Sequence, residues 1–167
     1  MEKTKITDVR EGFDFLGYRI AQERMPSTRR HVGMLFIPKG KSQLLRDKIK
    51  AKVRETPTGN SLADLIDHLN PVIVGWRNYY RYATRSGKEF AKHDWWLWWR
   101  LKSWLGKKHS KAPVGTLRRI YAGPRTGERS GWRMGGKKLA QFADAKRLRY
   151  PDRGLRIPNG WNATPDE

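Results

Sequence analysis

The sequence predicts a mainly α fold: a small two-stranded β-hairpin, then a bundle of three main helices with a short fourth, then an irregular basic tail. Three observations predict it. Apolar residues recur at helical spacing through the middle of the chain, two runs rich in β-formers precede them, and Gly, Arg and Lys dominate beyond Gly123. A chain of 167 residues makes one domain, or a small domain with appendages. The expected division is 1–40 for the hairpin, 41–122 for the helical domain and 123–167 for a basic, Gly-rich extension.

Residues 12–21 (GFDFLGYRIA) carry Phe13, Phe15, Tyr18 and Ile20, and Val32 to Pro38 (VGMLFIP) is a second apolar run. A polar, Pro-bearing stretch between them reads as the long connection of a hairpin. Ser42 is a candidate cap for a helix reaching Thr56, with Leu45, Ile49 and Val53 on one face. The stretch Thr56 to Asn60 breaks it. Ser61 then starts the next helix, with Asp64 placed for a capping box and Leu62, Leu65, Ile66 and Leu69 as its apolar stripe. Asn70-Pro71 is expected to end that helix and open another, running to about Ala83. Its Val72, Ile73, Trp76, Tyr79 and Tyr80 share a face opposite Arg77, Asn78 and Arg81.

Residues 87–108 predict a helix with a wide apolar arc of Phe90, Ala91, Trp95, Leu97, Trp98, Trp99, Leu101, Trp104 and Leu105, as a centrally packed helix has. Trp96 falls outside the arc, among Lys92, His93, Arg100, Ser103 and Lys107. Its indole is placed either to stack on an unpaired base or to be covered by the hairpin or the tail. Pro113 to Ala122 reads as a short basic helix. Beyond it only Leu139 to Arg149 looks element-like.

Charge points to function. There are 36 Lys and Arg against 16 Asp and Glu, a net charge of +20, with mean hydropathy of −0.84 and eight Trp to thicken a thin core. Such an excess repels itself unless a polyanion neutralises it, and nucleic acid is the common polyanion. The absence of Cys excludes disulfides and Cys-containing zinc sites. The four His show no ligand spacing and read as surface or interface residues. The N-terminus has no apolar signal core, and no run of about 20 apolar residues exists to cross a bilayer, so a cytoplasmic protein without membrane contact is expected.

Several segments are familiar in order. KTKI followed by FDFLGYRI resembles the end of the palm in group II intron-encoded reverse transcriptases, and IPKGKSQLLRDKIK resembles the entry to their thumb. Leu69-Asn70-Pro71, then Gly75-Trp76, Asn78, Tyr79, Tyr80 and Arg81, resembles the thumb, or maturase-specific, motif of that family. HDWWLWWRLKSWLGKKHSK is similar to the basic Trp-rich helix after it, and LAQFADAKRLRYPDRG to the closing segment. The resemblance implies a thumb-like bundle that grips a template–primer duplex or structured intron RNA to promote splicing and mobility. A palm-containing reverse transcriptase chain is then a further expected partner. The departures matter: the sequence has no Asp-Asp pair for two-metal polymerisation and no Cys-rich endonuclease segment. No catalytic residue, metal or cofactor is therefore expected.

The expected RNA contacts are Arg77, Arg81, Lys92, Arg100, Lys107, Lys108, Arg118 and Arg119, with Arg29 and Arg30 second and Trp96 as the stacking residue. An inert fragment of a reverse transcriptase and a general nucleic-acid-binding protein are the alternative readings.

Overall fold

The computed structural model describes residues 8, 10–24, 29–122 and 131–145. Three antiparallel strands come first: β1 (Phe13–Phe15), β2 (Tyr18–Arg24) and β3 (His31–Phe36), in the order β1-β2-β3. The expected first strand is in fact two. Phe15 pairs with Tyr18, so Leu16 and Gly17 form a two-residue turn, both with positive φ (46° and 74°). That is the handedness tight hairpins favour, and the glycine supplies it without strain.

Four helices follow: α1 (Lys39–Glu55), α2 (Leu62–Tyr80), α3 (Ser86–Lys108) and α4 (Val114–Tyr121). α1 starts a turn earlier than Ser42. Pro38, with φ −61° and ψ 139°, leads the chain in, and its carbonyl accepts from the amides of Lys41 and Ser42. α2 has the expected capping box, in which the Ser61 hydroxyl accepts from the Asp64 amide and the Asp64 carboxylate accepts from the Ser61 amide. These bonds hold the Asp64 carboxyl below the usual carboxylate range.

The boundary expected at Asn70-Pro71 is absent, and α2 runs straight through it. Pro71 has no N–H for the carbonyl of Asp67, an interruption that costs roughly 3 kcal/mol in a helix interior. Packing outweighs it, because Leu69 and Ile73 on either side are fully buried. The Asn70 side chain is also engaged, donating to the Lys138 carbonyl (3.0 Å) and accepting from the Ala140 amide (2.8 Å).

One core joins all of this. Leu45, Ile49 and Val53 of α1 meet Leu62, Leu65, Ile66, Leu69 and Ile73 of α2, and Phe90, Leu97, Leu101, Trp104 and Leu105 of α3. Trp104 donates its indole N–H to the Thr56 carbonyl (3.0 Å), pinning the α1–α2 loop. The part of the basic tail within 131–145 is not irregular. β4 (Arg133–Met134) and β5 (Lys137–Lys138) form a hairpin over a Gly135-Gly136 turn, and a 3₁₀ turn covers Phe142–Asp144. Trp132, Leu139 and Phe142 enter the same core. Residues beyond Ala145, including the rest of the segment expected to Arg149, lie outside the described residues.

The sheet is fastened to the end of α2 by tyrosines. The Tyr80 hydroxyl donates to the Gly17 carbonyl (3.1 Å), that of Tyr79 to the Leu16 carbonyl, and that of Tyr18 to the Tyr79 carbonyl. Tyr18 and Tyr79 stack with ring centres 5.3 Å apart. Burial, reinforced by the neighbouring tyrosines, pushes the Tyr18 hydroxyl up to about 12, so it stays a donor. The fastening explains why the tight turn and the paired tyrosines belong to one structural unit despite their separation in sequence.

Candidate nucleic-acid interface

The phase of α3 decides which of its aromatics are available. Buried residues Phe90, His93, Leu97, Leu101, Trp104 and Leu105 define its inner side. The arc expected from the sequence is therefore rotated. Trp95 and Trp99, expected in the core, are 68% and 46% exposed, and Ala91 is exposed too. Trp98 is half-buried and stacks on Trp132 with centres 5.2 Å apart. At 100° per residue, Lys88, Lys92, Trp95, Trp99 and Lys102 fall on one outward stripe, spaced four and three residues apart. Trp95 and Trp99 meet edge-on at 6.1 Å.

Trp96 is half-buried against the core, with the Arg46 guanidinium 5.7 Å from its ring centre. It is thus partly covered, and α1 rather than the hairpin or the tail supplies that arginine. His93 is a correction as well: it is 1% exposed, packed edge-on against Trp76 at 4.9 Å. Burial, then the charge of Arg46, lowers its pKa to about 4, so it is neutral near pH 7 and adds nothing to the positive surface.

The basic residues singled out from the sequence divide by their partners. Arg77 is half-buried and donates to the Gln141 carbonyl (2.7 Å), tying α2 to the C-terminal segment. Arg81 lies over the Tyr82 ring (4.9 Å) and donates to its hydroxyl (2.9 Å). Lys108 donates to the carbonyls of Thr58 and Asn60, both at 2.9 Å, and so closes the α1–α2 loop. Arg100 and Arg118 are half-buried. Lys92, Lys107, Arg119, Arg29 and Arg30 are exposed, Lys92 pairing with Glu89 at 2.6 Å. The structure thus brings Lys92 to the outward tryptophans but places Arg29 and Arg30 at the start of β3.

Sequence reasoning missed Trp95, Trp99, Lys88 and Lys102 as one surface. Their four–three spacing was a usable signal, hidden because indoles occur nearly all round this helix. Beside Trp95 opens a groove of about 620 Å³ walled by Phe90, Ala91, Trp98, Ala143 and Ala145. Asp94 also lines it and accepts from the amides of Phe142 (2.7 Å) and Ala143 (2.9 Å). Among the described residues no cluster of His, Cys, Asp or Glu could hold a metal ion, and no helix is long and apolar enough to cross a membrane.

Residues 42–121 match the model of the group II intron, maturase-specific domain. This segment is a maturase-type region. The match covers α1 from Ser42 through α4, so the bundle, the tyrosine pair and the outward face of α3 all lie within it. It ties the maturase-type region to group II intron splicing, and it is the maturase-specific part rather than a polymerase core. No curated protein and no solved structure matches the chain.

Proposed function

We propose that the maturase-type region binds structured group II intron RNA through the outward face of α3 and so promotes splicing and mobility of the intron. One observation carries the reading: two indoles, 68% and 46% exposed, stand between Lys88, Lys92 and Lys102 on a chain of net charge +20. Large apolar rings held in water beside cations suit unpaired bases for stacking and phosphates for pairing. A-form RNA offers backbone and shape rather than readable major-groove edges, so a lysine-rich contact set selects fold over sequence. Lys107, Arg118, Arg119, Arg29 and Arg30 extend the contact at its margins, and a template–primer duplex would present the same backbone chemistry. Arg77, Arg81 and Lys108 act chiefly on the fold, through the partners described above.

The test is equilibrium binding of the full chain to a group II intron RNA and to an unrelated duplex, across salt concentrations. Affinity should fall steeply with salt, because each neutralised phosphate releases counterions, and the intron RNA should bind more tightly. Flat salt dependence overturns the proposal. Equal affinity for both RNAs leaves a general nucleic-acid-binding protein instead.

A further inference from the structure

A second positive site adjoins the tryptophan stripe and shares Lys88 and Lys92 with it, where the sheet, α1 and α3 converge. A cleft of about 440 Å³ opens there, lined from the sheet by Glu23 and Phe36, from α1 by Lys39, Ser42 and Arg46, and from α3 and its approach by Arg85, Lys88, Glu89 and Lys92. Five cations therefore face two carboxylates. Both carboxylates are already engaged, Glu23 with Arg85 at 3.3 Å and Glu89 with Lys92 at 2.6 Å. Among the described residues, Lys39, Arg46 and Lys88 remain as uncompensated charge around one concavity.

The arrangement is held in place by the fold. Arg46 lies over the Trp96 ring, which fixes its guanidinium, and its Nε is buried with no hydrogen-bond partner among the described residues. Ser42 is backed by buried His93, whose Nε2 is 3.4 Å from the serine Oγ. The first turn of α1 carries no acid, and its N-terminus adds positive potential to a site that does not depend on it. Gathering like charges in a concave site is unfavourable unless an anion occupies it, and low-dielectric walls focus the resulting field.

We infer that this cleft seats a backbone phosphate of the bound RNA, with Lys39, Arg46 and Lys88 as its charge partners and the Ser42 hydroxyl as a further polar group. The inference rests on the RNA-binding reading above. It adds an anchor from α1 and α3 beside the sheet, which a flat stacking face lacks. A free phosphate offers the same chemistry, and the experiment separates the two sources.

The decisive comparison sets Lys39→Gln/Arg46→Gln, which leaves Lys88 of the shared stripe in place, against Lys41→Gln/Lys48→Gln in the full chain. Both pairs remove two charges from α1, and at 100° per residue Lys41 and Lys48 lie on the side of that helix away from the cleft. Binding of a fluorescent intron RNA is measured over a salt series, with a thermal melt confirming each fold. The cleft pair should weaken binding by about tenfold and lower the salt slope by about two, against a far smaller change in the control pair. Equal losses in the two pairs, or no loss in the cleft pair, overturn the inference. So does an orthophosphate titration at constant ionic strength that stabilises the wild type but not the cleft variant while RNA binding is unchanged, since the ligand is then free phosphate. Failure of the wild type to bind any RNA would instead sink the reading beneath it.

Discussion

Trp104 and Trp95 stand on the same helix and have opposite surroundings. The indole of Trp104 is buried and donates its N–H to the Thr56 carbonyl, whereas that of Trp95 is 68% exposed and touches Trp99 at its edge. Trp98 lies between these extremes, half-buried and stacked on Trp132. An indole that exchanges water for packing and a hydrogen bond holds the fold together. One that stays in water beside lysines leaves the fold unaffected and is available to a partner. The difference teaches that the phase of α3, more than its composition, separates scaffold from interface.

The comparison breaks first on its buried side. Trp132→Ala should destabilise the fold by about 3–5 kcal/mol, because it empties a fully buried site and removes the ring against which Trp98 stacks. A melt shifted by only a degree or two would mean that the C-terminal segment is not part of the core.

Acid should act on the same packing. His93 is neutral when folded, with its pKa lowered to about 4 from an ordinary 6.5. Between those values the unfolded chain binds the extra proton, so stability is complete above about pH 6.5 and declines as pH falls toward 4. The loss attributable to His93 should approach 2–3 kcal/mol, an order-of-magnitude figure. It is read as the difference in denaturant midpoint between wild type and His93→Gln across that window. Parallel pH profiles for the two proteins would place the histidine in a wetter site.

On the exposed side, Trp95→Ala should weaken RNA binding by roughly 1–3 kcal/mol, the scale of one base–aromatic stack, while its melting temperature stays with the wild type. Trp96→Ala should lower stability more than affinity, reversing the ranking that the sequence suggests. A smaller effect sharpens the junction with the sheet. Tyr80→Phe removes the hydrogen bond to the Gly17 carbonyl and should lower stability by about 1 kcal/mol.

Much of the helical framework was legible because its signals are local. The apolar stripes of α1 and α2, the Ser61 and Asp64 cap, and the limits of α3 and α4 all follow from spacing within a few turns. What escaped depends on partners distant in sequence. Leu16 and Gly17 look like the middle of one strand until Tyr79 and Tyr80 are seen gripping the turn. Pro71 looks like a boundary until the burial of Leu69 and Ile73 is weighed against it. Trp132 sits in a window of Gly and Arg with no apolar period, so nothing local marks it as buried. The site suffered most. Arg77 and Lys108 look like free cations in sequence, yet each donates to carbonyls more than 45 positions away. The phase of α3 was ambiguous because indoles nearly encircle it.

The most direct measurement follows the eight indole N–H resonances of the chain by NMR while intron RNA is added. The account requires those of Trp95 and Trp99 to move early and saturably, with Trp104 and Trp132 holding their positions. Saturation with RNA that left the Trp95 and Trp99 signals in place would contradict it.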